Sequence, residues 1–126
     1  MNNATKVKKL LIVEDDADIL EILGVIFSIE GYQVLLSESG TEIKDLDKLK
    51  PDLILLDIRL SPAGHEGEEI CERIKGCPET AHIPVILLSA EANIRQICLN
   101  CRANSYVKKP FDVDFLTKKV KEMMED

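Results

Sequence analysis

Leu53-Ile54-Leu55-Leu56 is an unbroken run of large apolar side chains, fenced by Pro51-Asp52 before it and Asp57 after it. A run this short and this apolar reads as a strand buried on both faces, as in a parallel sheet with helices above and below. Asp57 then stands at the carboxyl end of a central strand, the edge where open α/β sheets bind ligands. Alone, an acid there is a helix cap or a turn residue. Its meaning depends on what else arrives beside it.

The rest of the chain repeats the alternation of strand and helix. Residues 8–13 read as a strand ending in Glu14-Asp15-Asp16. Residues 17–29 carry Ile19, Leu20, Leu23, Ile26 and Phe27 at helical spacing, with Gly31 as the stop. Ile22, Val25 and Ile29 widen that stripe, and the plain reading is a broad buried face. A second strand over 32–36 leads into a polar helix over 41–49, closed by Pro51. Composition marks 61–67 (SPAGHEG) as a loop, followed by a helix over 68–75 that Gly76 and Pro78 end. A fourth strand, 83–88, is tipped by Ser89 and followed by a helix over 92–101. A short strand, 105–108, runs into Lys109-Pro110. The last helix, 111–124, has Asp112 as its cap and Val113, Phe115, Leu116, Val120 and Met123 or Met124 facing inward. Five strands alternating with helices predict an α/β fold: a doubly wound parallel sheet with right-handed crossovers. The strand count favours the flavodoxin-like order 2-1-3-4-5 in three layers, as one domain over 1–126.

In that order the strand tips deliver a set of groups to one edge: Glu14, Asp15 and Asp16 from strand one, Asp57 from three, Ser89 from four, and Lys109 after five. Clustered carboxylates repel unless a cation sits between them or one takes a proton. Mg²⁺ resolves the repulsion and characteristically takes one or two carboxylates with waters and phosphate oxygens. A carboxylate can attack phosphorus to form an aspartyl phosphate, and the transferred group needs its oxygens neutralised by a metal, an amine or a hydroxyl. Each residue also has a bland role: Asp15, Asp16 or Ser89 as a helix cap, Lys109 as a solvated charge. The bland roles do not account for their convergence.

The pieces LLIVEDD (10–16), PDLILLDIRL (51–60), PVILLSA (84–90) and YVKKPF (106–111) together resemble the receiver domain of two-component response regulators, over essentially the whole chain. The resemblance implies Asp57 as phosphoacceptor and a Mg²⁺ held by Asp15, by Glu14 through water, by Asp57 and by the carbonyl of Arg59. It implies Ser89 as the hydroxyl that turns toward the phosphoryl group, Lys109 as the amine that contacts it, and Tyr106 as the aromatic switch. Arg59 and Glu91 fall where the family varies its rate of self-dephosphorylation. The implied donor is a histidine kinase or histidine phosphotransfer protein, whose docking surface borders the first helix. The implied output is a repacked face of helix four, strand five and helix five that controls a partner protein, in a phosphoacceptor rather than an enzyme. Two departures stand out. The loop 61–67 is longer than the family's turn, with Glu66-Gly67 where Asp-Gly is usual. Arg102 stands where a glycine often ends the fourth helix, so it must avoid the left-handed cap or take some strain.

Other classes fit less well. An aspartate-nucleophile phosphatase needs a second acid two places after the nucleophile, where this chain has Arg59. A receiver-like scaffold that is never phosphorylated characteristically lacks the acceptor or metal acids, all present here. No GxGxxG follows the first strand, against a dinucleotide site. Net charge is −7, from 16 Lys+Arg and 23 Asp+Glu, which argues against direct nucleic-acid binding. No apolar run reaches membrane-spanning length and MNNATKVKK lacks a signal-peptide core, so a cytoplasmic protein off the membrane is expected. Cys98-x-x-Cys101 has metal-like spacing, but no second pair completes a ligand set. With Cys71 and Cys77, these cysteines read as small packing residues. His65 and His82 read as exposed loop residues without ligand partners. No effector segment follows Glu125-Asp126. The expectation is a stand-alone receiver acting by protein contact, or a piece of a larger regulator.

Overall fold

A computed structural model describes residues 6–62 and 64–125; Ala63, inside the 61–67 loop, lies outside the described residues. The elements in chain order are β1 (Lys9–Val13), α1 (Ala17–Ile29), β2 (Gln33–Ser37), a 3₁₀ turn (Thr41–Asp45) running into α2 (Leu46–Leu49), β3 (Leu53–Asp57), α3 (Glu66–Gly76), β4 (Val85–Ser89), α4 (Ile94–Cys101), β5 (Ser105–Lys108) and α5 (Val113–Met124). The strands form one parallel sheet in the order β2-β1-β3-β4-β5, as the alternation predicts.

The side-chain period of two splits each central strand between two cores. Leu10, Ile12, Leu53, Leu55, Ile86, Leu88 and Val107 face α1 and α5, where Leu20, Leu23, Phe27, Leu116 and Val120 meet them. Leu11, Val13, Ile54, Leu56, Val85 and Leu87 face the other way, onto Leu46, Cys71, Ile74, Ile94 and Ile97. Every residue of β3 and β4 is buried, which explains why both read as continuous apolar runs rather than as alternation. Cys71, Cys98 and Cys101 are buried free thiols in the α3–α4 layer. The Cys71 thiol donates to the Cys101 carbonyl at 3.4 Å.

Several expectations need correction. The helix read over 41–49 is a 3₁₀ turn with a single turn of α-helix, because the segment buries little beyond Leu46. It ends on Lys50 in the left-handed region at φ 48. α3 starts at Glu66, inside the stretch read as loop, because Gly67 serves close packing rather than a turn. A Cβ on Gly67 would stand 2.0 Å from the Asp57 carbonyl oxygen, and its N–H donates to the Ile58 carbonyl at 2.8 Å. α4 starts at Ile94 rather than 92, since Glu91–Asn93 form a turn closed by Ile94 N–H on the Glu91 carbonyl. Arg102 takes the left-handed cap at φ 65. α5 starts at Val113, capped by Asp112 as expected. Val113 and Phe115 are 43% and 54% exposed, not inward. The inward stripe is Leu116, Val120 and Met124, and Phe115, one residue ahead of Leu116, points about 100° away from it. The broad buried face read for α1 is narrower too: Leu20, Leu23 and Phe27 are buried, whereas Ile22, Val25 and Ile29 are 57%, 55% and 78% exposed. Among the described residues no helix is long and apolar enough to cross a membrane.

Candidate functional site

The carboxyl ends of β1, β3 and β4 and the turn after β5 meet in a cleft of about 560 Å³ whose lining includes Glu14, Asp15, Asp57, Arg59, Ser89 and Lys109. A larger groove of about 750 Å³ lies between the 3₁₀ turn, α2 and α3, but it is mostly apolar and gathers no comparable set of acids. Chemistry, not size, singles out the strand-end cleft.

Its floor is buried: Glu14, Asp57 and Ser89 are 1%, 4% and 4% exposed. Glu14 is the residue after β1, and its N–H donates to the Ser37 carbonyl at the end of β2. Its Oε2 accepts from the Asp16 N–H at 3.2 Å, while Asp16 caps α1 through the N–H groups of Asp18 and Ile19. Asp16 is thus occupied with the helix, and Asp15 stays exposed at the cleft. The Asp57 Oδ1 accepts from the Arg59 N–H at 3.2 Å. Lys109, across a cis peptide from Pro110, donates from Nζ to Glu14 Oε1 at 2.7 Å and to Asp57 Oδ2 at 3.1 Å. The Ser89 Oγ accepts from the Glu91 N–H at 2.9 Å, so its own proton is free for another acceptor. Ser89 therefore closes the turn ahead of α4, whose N-cap is Asn93.

The electrostatics are unbalanced. Burial first, then the Asp57 carboxylate, raises the Glu14 carboxyl above its ordinary range despite Lys109. Burial and then Glu14 raise Asp15. Burial pulls the Lys109 ammonium down, but contacts with Glu14 and Asp57 together outweigh it and the net shift is upward. One ammonium thus faces the carboxylates of Glu14, Asp15 and Asp57, which offer oxygens within 4.8 Å of one another. That surplus of negative charge, on hard oxygen donors and partly out of water, fits a small divalent cation such as Mg²⁺.

Every residue that the sequence nominated reaches this neighbourhood except Tyr106. Tyr106 lies on β5, half-buried against the core on the α3–α4 side. Sequence reasoning missed a feature of the rim. The Arg59 guanidinium pairs with Glu91 at 3.0 Å, and the His65 Nε2 lies 3.6 Å from the same carboxylate oxygen. His65 is exposed as expected, and spacing alone does not reveal that it lies beside Glu91.

Residues 10–121 match the response regulator receiver domain family. The chain belongs to that family. Its relatives include sporulation initiation phosphotransferase F of Bacillus subtilis, 32% identical over 93% of this chain and 94% of that protein. The phosphate regulon regulator PhoB of Rhizobium meliloti is 36% identical over 92% of this chain but 52% of its own length. The chain spans about half the length of the transcriptional and DNA-binding regulators that it matches. Among solved structures, the receiver domain of a signal-transduction histidine kinase from Syntrophus aciditrophicus superposes with a TM-score of 0.82 at 30% identity, covering 94% of this chain and 90% of that one. The chain is thus a receiver domain of phosphorylation-dependent signalling, with the flavodoxin-like fold.

Proposed function

We propose that Asp57 accepts a phosphoryl group from a histidine kinase or histidine phosphotransfer protein, and that the added charge switches the α4–β5–α5 face to control a partner protein in the cytoplasm. One observation carries the reading: Lys109 bridges two almost fully buried carboxylates from different strands, with the free hydroxyl of Ser89 on the same cleft floor.

The Asp57 carboxylate attacks phosphorus, and the bond from phosphorus to the donor's histidine nitrogen breaks as the new O–P bond forms. The Lys109 ammonium stands where it neutralises an oxygen of the incoming group, and the Ser89 hydroxyl donates to another. The Arg59 N–H holds Asp57 Oδ1 in place during the attack. Asp15, Glu14, Asp57 and the Arg59 carbonyl would hold Mg²⁺, which when bound supplies the remaining charge neutralisation. Phosphorylation adds roughly one negative charge at Asp57. Ser89 turns toward it, and Tyr106 follows by changing rotamer within the core it shares with α4. The chain assists its own phosphorylation and dephosphorylation without turning over a separate substrate.

The partner surface is supported by α1. Ile22, Val25 and Ile29 form an exposed apolar ridge. Beside it runs a groove of about 480 Å³, bordered by Ile22, Ile26, Pro110 and Phe111 and reaching Ala90 and Lys109 at the cleft. A donor helix seated there brings its histidine to Asp57.

The test is incubation with Mg²⁺ and a small acyl-phosphate donor. One acid-stable, base-labile phosphoryl group per chain is expected, lost on chelation of the metal and in Asp57→Asn. Turnover of phosphomonoesters instead would favour a phosphatase.

A further inference from the structure

We propose that β2 is an interface: two copies of this chain pair through it, antiparallel about a twofold axis at Leu35, and so join their sheets into one. The inference is independent of the chemistry at Asp57.

β2 is an outer strand of the sheet, and among the described residues no strand pairs with its free side. The Gln33 N–H donates to the Lys8 carbonyl at 2.9 Å, and the Ser37 carbonyl accepts from the Glu14 N–H at 3.0 Å. The register runs unbroken from Lys9 opposite Gln33 to Val13 opposite Ser37, so the alternate residues Gln33, Leu35 and Ser37 turn their main-chain groups to β1. Val34 and Leu36 turn theirs outward. Exposed edges are ordinarily blunted by a lysine, a proline or a bulge. β2 (QVLLS) carries no charge, proline or glycine.

The side chains beside that edge are apolar as well. A groove of about 360 Å³ runs between α1 and β2, and of the residues lining it only Glu21 is charged. Val25, Ile29 and Leu36 form its walls, 55%, 78% and 45% exposed. α1 lies close over the strand here: a Cβ on Gly24 would stand 3.1 Å from Leu36 Cδ1. This groove shares no lining residue with the one bordered by Pro110 and Phe111 on the other flank of α1.

The backbone selects the occupant. A helix laid in the groove would cover the side chains but leave the outward N–H and carbonyl groups of Val34 and Leu36 without strand partners. An extended strand satisfies both. A second β2 fits because the outward groups are symmetric about Leu35. In the antiparallel pair, Val34 of one copy stands opposite Leu36 of the other, and each such pair exchanges both N–H to carbonyl bonds. The twofold axis is perpendicular to the sheet, so both α1 helices stay on one face and the Val25–Ile29 strip of one copy meets that of the other. Two net charges of −7 oppose the association and the strip is small, so the dimer is weak and reversible rather than permanent.

The test uses the full, unphosphorylated chain. Sedimentation over about 10 μM to about 1 mM is expected to move from the monomer mass toward twice that mass. Over the same series, amide exchange read by NMR is expected to slow at least about fivefold at Val34 and Leu36. Exchange in β5, the other outer strand, is expected not to depend on concentration. I29K is expected to raise the dimer Kd at least about tenfold, whereas F115K, at an equally exposed apolar residue of α5, is expected to leave it unchanged. Both side chains are exposed, so the dilute variants are expected to melt with the unaltered chain. A monomer mass throughout would overturn the second copy and leave the edge to an extended segment of another protein. Dimers whose Val34 and Leu36 amides exchange as fast as in the monomer, or whose Kd is unmoved by I29K, would overturn the β2 interface, since association then uses another face. Slow exchange at those amides in the dilute monomer would place the chain's own ends over the strand and overturn it as well.

Discussion

Gly67→Ala probes the contact that seats α3 against the site. An added Cβ would stand 2.0 Å from the Asp57 carbonyl oxygen, 2.6 Å from the Ile58 Cα and 2.8 Å from the Asp57 carbonyl carbon. All three are backbone atoms at the end of β3, so no side-chain rotation relieves the clash. The start of α3 must retreat by about 1 Å or more to reach ordinary contact. Overpacking of this kind costs about 1–3 kcal/mol. Losing the Gly67 N–H bond to Ile58 adds about 0.5–1.5 kcal/mol, and the better helix propensity of alanine returns up to about 1 kcal/mol. The net loss is about 0.5–4.5 kcal/mol, which for a chain of this size lowers the melting temperature by roughly 2–18 °C. Gly76→Ala at the other end of α3 is the control. Its Cβ would meet nothing nearer than Arg102 Nη2 at 3.7 Å, so that variant is expected to melt no lower than the unaltered chain and up to about 4 °C higher from alanine's better helix propensity. Thermal unfolding followed by circular dichroism reads both. Equal melting temperatures for the two variants would refute the placement of α3 against the end of β3.

Three further outcomes follow from the cleft and from α1. Burial raises the folded pKa of Glu14 and Asp15 above their ordinary values of 4.5 and 3.8. Without a metal, their contribution to stability is therefore full below those values and is lost as pH rises through the folded ones. Protons compete with the cation as the pH falls through those raised values, so Mg²⁺ affinity measured by calorimetry is expected to fall on acidification from neutral pH. An affinity flat across that range would contradict the assignment. Lys109→Met removes the ammonium that faces Glu14 and Asp57. Phosphoryl uptake is expected to drop by about 10²-fold while Mg²⁺ binds more tightly, because a competing positive charge is gone; weaker Mg²⁺ binding would count against the shared site. Ile22→Ser with Val25→Ser on the exposed ridge of α1 is expected to cut transfer from a phosphorylated donor protein at least about tenfold. Uptake from a small acyl phosphate and the melting temperature should not change. An unaltered transfer rate would place the docking surface elsewhere.

Much of this molecule is legible in its sequence, because the apolar runs in β1, β3 and β4 are short, flanked by turn or polar residues as buried parallel strands are, and each ends in a polar residue. That pattern places Glu14, Asp57 and Ser89 on the cleft floor before any coordinates are seen. Lys109 was legible only through its position after the fifth strand. Its double contact with Glu14 and Asp57 depends on how far a flexible side chain reaches across the sheet edge. Gly67 was misread because glycine marks turns and close approaches alike; only the neighbouring β3 backbone distinguishes them. The outward ridge of α1 and the exposure of Phe115 were hidden by hydrophobicity, which does not say whether an apolar side chain meets the core or is left on the surface. His65 and Glu91 lie 26 residues apart with nothing in the intervening sequence to pair them. Their contact appears only once β3 and β4 lie side by side.

The most direct measurement maps the phosphoryl group itself. The chain is phosphorylated with an acyl phosphate in the presence of Mg²⁺, reduced with borohydride to convert the acyl phosphate to an alcohol, digested, and read by mass spectrometry. Conversion confined to Asp57, and absent when Mg²⁺ is chelated, is the predicted result. Conversion at Glu14 or Asp15, or label at Asp57 undiminished without the metal, would contradict it.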